Sequence, residues 1–200
     1  VLNRVGLSSF RIDFFGHGES QGDFAEITAS KAVDNYLKAI SYAKTKGFSN
    51  ICLVGSSFGG LTALIAASKS PSVKVVCLKC PVSDIVRPEV RSYFSKEGIN
   101  RWKKRGYTYY TKEGRKIRLN YTFISDAAKN TAYEPARKVK VPTLIVHGEH
   151  DEIVPVSQSK KTYSLLKNGS FHLIKNANHR FSQKHHFSEM VAVMSAYIID

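Results

Sequence analysis

The residues that could do chemistry centre on one short stretch. Ile51 to Val54 is an apolar run that breaks into Gly55-Ser56-Ser57-Phe58-Gly59-Gly60, and an apolar helical pattern of Leu61, Leu64, Ile65 and Ala67 begins at once. A glycine-flanked serine between a strand and a helix, with no loop residue to spare, is held in a strained backbone conformation. Its hydroxyl is pushed out of the fold. Glycines at Gly55 and Gly59 are expected where the turn leaves no room for side chains at its flanks. Ser56 is a rival on paper, but the Gly55/Gly59 frame centres on Ser57. A serine hydroxyl is a weak nucleophile until a neighbouring base accepts its proton. The turn therefore calls for a histidine and an acid farther along the chain.

Those groups need a scaffold, and the hydrophobic pattern supplies one. Val5 to Phe15 alternates loosely and ends in Gly16-His17-Gly18, which predicts a strand running into a glycine turn. Thr28 or Ser30 can cap a helix with the stripe Val33, Leu37, Ile40 and Ala43, stopped by Gly47. After the serine turn and its helix, Val73 to Leu78 is a nearly continuous apolar run. Such a run suits a strand covered on both faces of a parallel sheet. Val141 to Val146 is another strand, ending in His147-Gly148-Glu149-His150-Asp151-Glu152. A helix from about Ser157 to Leu166 and a strand from Phe171 to Lys175 follow, then the loop Asn176-Ala177-Asn178-His179. The last helix carries Phe187, Met190, Val191, Met194 and Ile198 as one buried stripe. Strands alternating with helices over short links predict βαβ units and an open α/β sheet.

The rhythm breaks between residues 87 and 133. That segment is weakly periodic and aromatic, and it reads as an irregular insertion over the carboxyl ends of the strands. It holds twelve Lys/Arg and four Asp/Glu, a balance of +8 out of a chain total of +14. A basic segment interleaved with Trp102, Tyr107, Tyr109, Tyr110 and Tyr121 fits an anionic surface, an acidic substrate or nucleic acid. It carries no nucleic-acid motif, so nucleic acid is not expected as a partner. The chain contains no apolar run long enough for a membrane span. It opens on Val1 rather than methionine, so it is expected to begin partway through a longer protein, and it shows no signal-peptide pattern. Cys52, Cys77 and Cys80 lie in apolar runs and read as buried, reduced thiols of a cytoplasmic protein. Cys77 and Cys80 sit three apart on a strand and point to opposite faces, so no metal site is expected there.

Ser57, Asp151 and His179 follow three successive strands, and Ser…Asp…His is the chain order of the α/β-hydrolase triad. The stretches DFFGHGESQGDF at 13–24, GSSFGG at 55–60 and HGEHDEIVP at 147–155 resemble that superfamily. Within it they resemble the small cytosolic esterases, feruloyl or cinnamoyl esterase-like and related to the serine aminopeptidase-like hydrolases. The resemblance implies an α/β-hydrolase fold, a mostly parallel sheet with helices on both faces and a cap insertion. It divides the chain into core (1–86), cap (87–133) and core (134–200). It also implies a family strand and an HGxxG-type loop ahead of this chain's start, supplying one oxyanion-hole amide. Nothing in residues 1–12 matches that loop, so the first strands are expected to be missing and Phe58 N–H is the one donor that can be placed.

In these roles His179 is the base, Asp151 orients it, and Phe58 N–H stabilises the tetrahedral oxyanion. Glu149 and Glu152 compete with Asp151, whose place in the HGxxDxxVP pattern favours it. Of seven histidines, His17, His147, His172, His185 and His186 read as ordinary by position, His150 is nearer the site but precedes the acid, and only His179 follows the final strand in the right loop. The expected activity is hydrolysis of a small-molecule carboxylic ester through an acyl-serine, without metal or organic cofactor. A thioesterase or small-peptide amidase with the same triad, or a non-catalytic ligand-binding module, remain as alternatives.

Overall fold

The computed structural model describes residues 2–87, 95–112 and 114–199. Four parallel strands form the main sheet in the order β1-β2-β5-β6: β1 Ile51–Ser56, β2 Val73–Lys79, β5 Thr143–Gly148 and β6 Gly169–Ile174. Alternation along these strands divides the core in two, because successive side chains point to opposite faces. Leu53, Val76, Leu78 and Ile145 join one apolar cluster with α1 (Ala29–Thr45) and α2 (Phe58–Ala67). Cys77, Leu144 and Val146 join the other, with Met190 and Met194 of α7 (Lys184–Ile199). Helices therefore cover both faces, as expected.

Several sequence expectations hold in detail. Thr28, not Ser30, caps α1 by accepting a hydrogen bond from Lys31 N–H, and Gly47 ends the helix at φ +86°. The helix expected from about Ser157 is α6, Val156–Tyr163. Phe187 departs from the expected stripe: it is 52% exposed while Met190 and Met194 are buried. α7 packs on β2, β5 and β6 and reaches β1 only as far as Cys52, so Val54 is 49% exposed.

Two expectations fail. Val5 to Phe15 is not a strand: a 3-10 turn spans Leu2–Val5, and the residues up to Phe14 pair with no strand among those described. Its alternation satisfies the strand pattern, but a strand also needs a neighbour to take its backbone groups. β1 bonds to β2 alone among the described residues, so no such neighbour stands beside the segment.

The segment 87–133 is not irregular either. It holds α3 (Lys96–Arg105), an antiparallel hairpin of β3 (Tyr107–Lys112) and β4 (Arg115–Asn120), and α4 (Thr122–Ala127); residues 88–94 and 113 lie outside those described. α3 is capped by Ser95 and stopped by Gly106 at φ +81°, both ordinary helix punctuation. It buries Gly98 and Trp102, too few apolar positions to register as a stripe. Asp126 ties this segment to the core by accepting from both N–H and Oγ of Ser30 at the start of α1. α5 (Tyr133–Lys138) leads back to β5.

The glycines at the serine turn divide differently from expectation. A Cβ on Gly55 would lie 2.4 Å from the Gly59 carbonyl oxygen, and one on Gly60 would lie 2.8 Å from Pro81 Cβ. A Cβ on Gly59 meets nothing closer than 3.7 Å. The crowded positions are thus Gly55 and Gly60, because α2 turns back over its own strand and against the chain leaving β2. Gly55→Ala is expected to destabilise the fold by about 3 kcal/mol or more, and Gly59→Ala, inside α2 with room for a Cβ, to leave stability unchanged or raise it by up to about 1 kcal/mol. Urea midpoints of the two variants check this contrast.

Candidate active site

Ser57 stands between β1 and α2 at φ 54° and ψ −119°, a conformation L residues rarely adopt. The turn is over-determined by its neighbours. Ser57 N–H donates to Lys79 O at 2.9 Å, and Ser57 O accepts from Gly60, Leu61 and Val82 N–H. From α1, Tyr36 Oη donates to Val54 O and Gly59 O at 3.3 Å each, closing the turn from outside. Burial pushes the Tyr36 hydroxyl up to about 12, so it stays a donor throughout the neutral range. Among the described residues, neither the Ser57 hydroxyl nor Phe58 N–H takes a hydrogen bond. Phe58 N–H is one of the free donors every helix start leaves, which makes it available to a developing oxyanion.

Asp151 and His179 are brought together: His179 Nδ1 and Asp151 Oδ2 lie 2.7 Å apart, with His179 only 7% exposed. Asp151 lies in the loop after β5 and His179 in the loop after β6, adjacent parallel strands, so the topology alone aims both loops the same way. The carboxylate is fully engaged. Oδ1 accepts from Ile153 and Val154 N–H at 2.9 and 2.7 Å, and Oδ2 also lies 3.1 Å from His147 Nε2. Burial alone would raise the Asp151 pKa, but hydrogen bonds from His147, His179, Val154 and Ile153 outweigh it and hold the group far below the usual carboxylate range. Asp151 is therefore ionised at every working pH.

His147 has a role that sequence reasoning missed. It is fully buried, with Nε2 3.0 Å from Val154 O and Nδ1 2.8 Å from Ser159 Oγ. A carbonyl only accepts, so Nε2 carries the proton and also presents it to Asp151. The signal was present in the sequence, since His147 and Asp151 bracket one tight turn, but its meaning depended on the buried carbonyl of Val154. Cys80, His147 and Asp151 place donor atoms within 4.8 Å of one another, as a metal site would. Neither nitrogen of His147 has a lone pair to spare in this network, and burial pushes the Cys80 thiol up to about 12. The trio is a hydrogen-bonded support for the acid and does not suit a metal. Cys77 and Cys80 do not pair with each other: the Cys77 thiol contacts Cys52.

The rival acids have other partners. Glu149 Oε2 accepts from Asn176 N–H at 3.0 Å, and Glu152 Oε2 accepts from His179 N–H at 3.2 Å. Both hold the backbone of the histidine loop. Lys79 holds it from the other side, donating to His179 O at 2.7 Å and to Ser56 Oγ at 3.3 Å. This lysine at the end of β2 joins the serine turn to the histidine loop, and burial lowers its pKa. His179 is thus fixed at its N–H, its C=O and its Nδ1. Lys79→Met and Glu152→Gln are each expected to lower kcat by about 10- to 100-fold, the scale of small misplacements, and to leave KM nearly unchanged. Steady-state kinetics on a chromogenic ester checks the split.

Aromatic rings pack around Phe58, the residue after Ser57. The Phe58 ring meets Phe14 edge-on at 6.3 Å and Phe123 of α4 at 5.8 Å, and Phe123 stacks on Trp102 at 6.3 Å and 17°. A separate open cleft of about 340 Å³, lined by residues such as Phe10, Ile12, Asn35 and Tyr42, lies where the N-terminal segment stands off α1. It contains none of Ser57, Asp151 or His179 and is not the site.

Residues 6–199 match the prolyl oligopeptidase family (peptidase S9). Among curated relatives, the human serine hydrolase BPHL is 29% identical over 89% of this chain and 65% of its own length. The mouse mitochondrial palmitoyl-protein thioesterase ABHD10 is 29% identical over 90% of this chain and 61% of its own. The chain therefore spans under two thirds of both. Among solved structures, Est1E of Butyrivibrio proteoclasticus with ferulic acid bound superposes with a TM-score of 0.78 at 28% identity, over 94% of this chain and 76% of that one. With its parallel sheet, covered faces and strained serine turn, the chain has the α/β-hydrolase fold and belongs to the prolyl oligopeptidase family.

Proposed function

We propose that the protein is a serine hydrolase that cleaves a carboxylic ester through an acyl-serine. The observation that carries this reading is the 2.7 Å Asp151–His179 pair, held by Lys79 against the turn that presents Ser57 at φ 54°. Ser57 Oγ attacks the ester carbonyl while His179 Nε2 takes its proton. Phe58 N–H donates to the oxyanion, a contribution of about 3 kcal/mol. The intermediate collapses by breaking the bond to the alkoxide, which leaves with the proton from His179. Water then attacks the acyl-serine, giving its proton to His179, and the acid departs as Ser57 regains its hydrogen. Asp151 keeps Nδ1 protonated and stabilises the imidazolium. Each step draws on side-chain and backbone groups alone, so no cofactor enters.

In this reading residues 87–133 cap the pocket, and the cores are 1–86 and 134–200. The Phe58–Phe123 contact supports the cap role, since it sets α4 against the nucleophile's own neighbour. Thioester cleavage is the second reading, favoured by the thioesterase among the relatives; both substrates pass through the same acyl-serine. Three free cysteines support a reducing, cytoplasmic setting. No helix among the described residues is long and apolar enough to cross a membrane. The test is a matched panel of aryl ester, acyl thioester and amino-acyl anilide carrying one acyl group. The proposal expects the ester to give the highest kcat/KM, and a preference for the anilide would overturn it.

A further inference from the structure

One surface takes no part in this chemistry, the outer side of the β3–β4 hairpin and the adjoining side of α3. Alternation along the hairpin sends Tyr110 and Leu119 inward, where Tyr110 meets Phe24 at 5.8 Å and Leu119 is buried. Tyr107, Tyr109, Lys116 and Arg118 share the opposite face, with Tyr109 opposite Arg118 in the ladder. Arg105, at the end of α3, folds onto this face. The Arg105 and Arg118 guanidiniums each lie 4.3 Å from the Tyr107 ring centroid, and Arg105 Nη2 donates to Tyr107 Oη at 3.0 Å. Arg101 stands on the same side of α3, four residues before Arg105, and Lys104 lies three residues after Arg101.

These cations are exposed, and no carboxylate among the described residues pairs with any of them; the Lys/Arg ion pairs lie elsewhere, at Lys31, Lys38, Arg87 and Arg137. The helix dipole accounts for basic residues in the last turn of α3, but it does not reach Lys116 and Arg118 on β4. Placing two guanidiniums on one ring and a third basic residue one turn away works against stability, because like charges at this spacing repel. The fold holds them there in a defined geometry with no counter-ion among the described residues.

We propose that this face docks on an anionic lipid bilayer. Charge complementarity calls for a polyanion, and two features select a membrane surface. The exposed Tyr109, 46% accessible among the arginines, is amphipathic in the way membrane-interface residues are. A nucleic acid would instead need open ring faces for its bases to stack on, and the Tyr107 ring is already in contact with two guanidiniums and the edge of Tyr109. Clusters of four to eight basic side chains bind anionic headgroups additively. Docking here would hold the cap segment at the interface where acyl esters partition. The inference does not depend on Ser57 being a nucleophile.

The experiment is co-sedimentation of the intact protein with vesicles of phosphatidylcholine alone or with phosphatidylserine added. Binding is expected only with phosphatidylserine, weakening as salt rises. The double variant R105Q/R118Q is expected to bind about 30-fold more weakly. K31Q/K38Q removes the same charge from ion pairs elsewhere and is expected to keep the affinity; R118Q/K116Q serves if the first pair does not fold. Equal binding to both vesicle types would overturn the proposal. So would equal weakening in K31Q/K38Q, which would mean that net charge alone drives binding. Tighter binding to single-stranded DNA than to the anionic vesicles, lost in R105Q/R118Q, would reassign the face to nucleic acid.

Discussion

Ser57→Ala is expected to lower turnover of an aryl ester by about a million-fold, to the residue left by binding and the oxyanion donor alone. The size follows from removing the only atom that forms the covalent intermediate. The fold is expected to survive, because the Ser57 hydroxyl takes no hydrogen bond among the described residues and alanine meets the same backbone strain. A companion variant separates function from stability. At φ 54° a side chain costs about 1–3 kcal/mol that glycine avoids. Ser57→Gly is therefore expected to raise the unfolding midpoint while abolishing activity. Initial rates and urea titrations of the three proteins check both statements.

Asp151→Asn is expected to lower kcat by about ten-thousand-fold. Oδ1 of the carboxylate accepts from Ile153 and Val154 N–H, and Oδ2 faces the two histidines. An asparagine oxygen would go to the two backbone donors, which turns its NH2 toward His179 Nδ1. That nitrogen must then accept, so the ring proton moves to Nε2, the atom that has to receive the Ser57 proton. The same NH2 opposes the Nε2–H of His147, so stability falls as well. The pH dependence carries a sign. A carboxylate whose folded pKa is depressed contributes stability that is present above its unfolded pKa and lost as pH falls through the folded value. The wild-type protein is therefore expected to lose stability between about pH 4 and more acid values, and Asp151→Asn to lose less over that range. Thermal midpoints from neutral to acid pH measure the difference.

Much of this arrangement was legible in the sequence, and the parts that were not share a cause. β5 is buried throughout and β2 over most of its length, so they write themselves as apolar runs, and the serine turn announces itself by its glycines. Asp151 and His179 were placed by chain order and by the HGxxDxxVP resemblance, which reflect the loops that adjacent parallel strands generate. Local pattern gave no warning where the outcome depended on a distant partner. Val5 to Phe15 reads as a strand yet has no strand beside it among the described residues. α3 and the hairpin read as irregular because they lean on the core through a few side chains, Ile99, Trp102, Tyr110 and Leu119 among them, set in long polar stretches. Gly59 reads as required by the turn, while the crowding falls on Gly60, where Pro81 crosses from β2. Lys79 and Glu152 carry no motif, since their roles are hydrogen bonds closed only when β2, β5 and β6 lie side by side, and His147 opens the HGxxDxxVP pattern but takes its role from the buried Val154 carbonyl and Ser159 hydroxyl.

The most direct test of the central claim is the site of covalent modification. The protein is treated with a serine-directed fluorophosphonate, digested and mapped by mass spectrometry. The account predicts a single adduct on Ser57, formed at least about a hundred-fold more slowly in Asp151→Asn. An adduct on Ser56 or another residue, or none on Ser57 in folded protein, would contradict it.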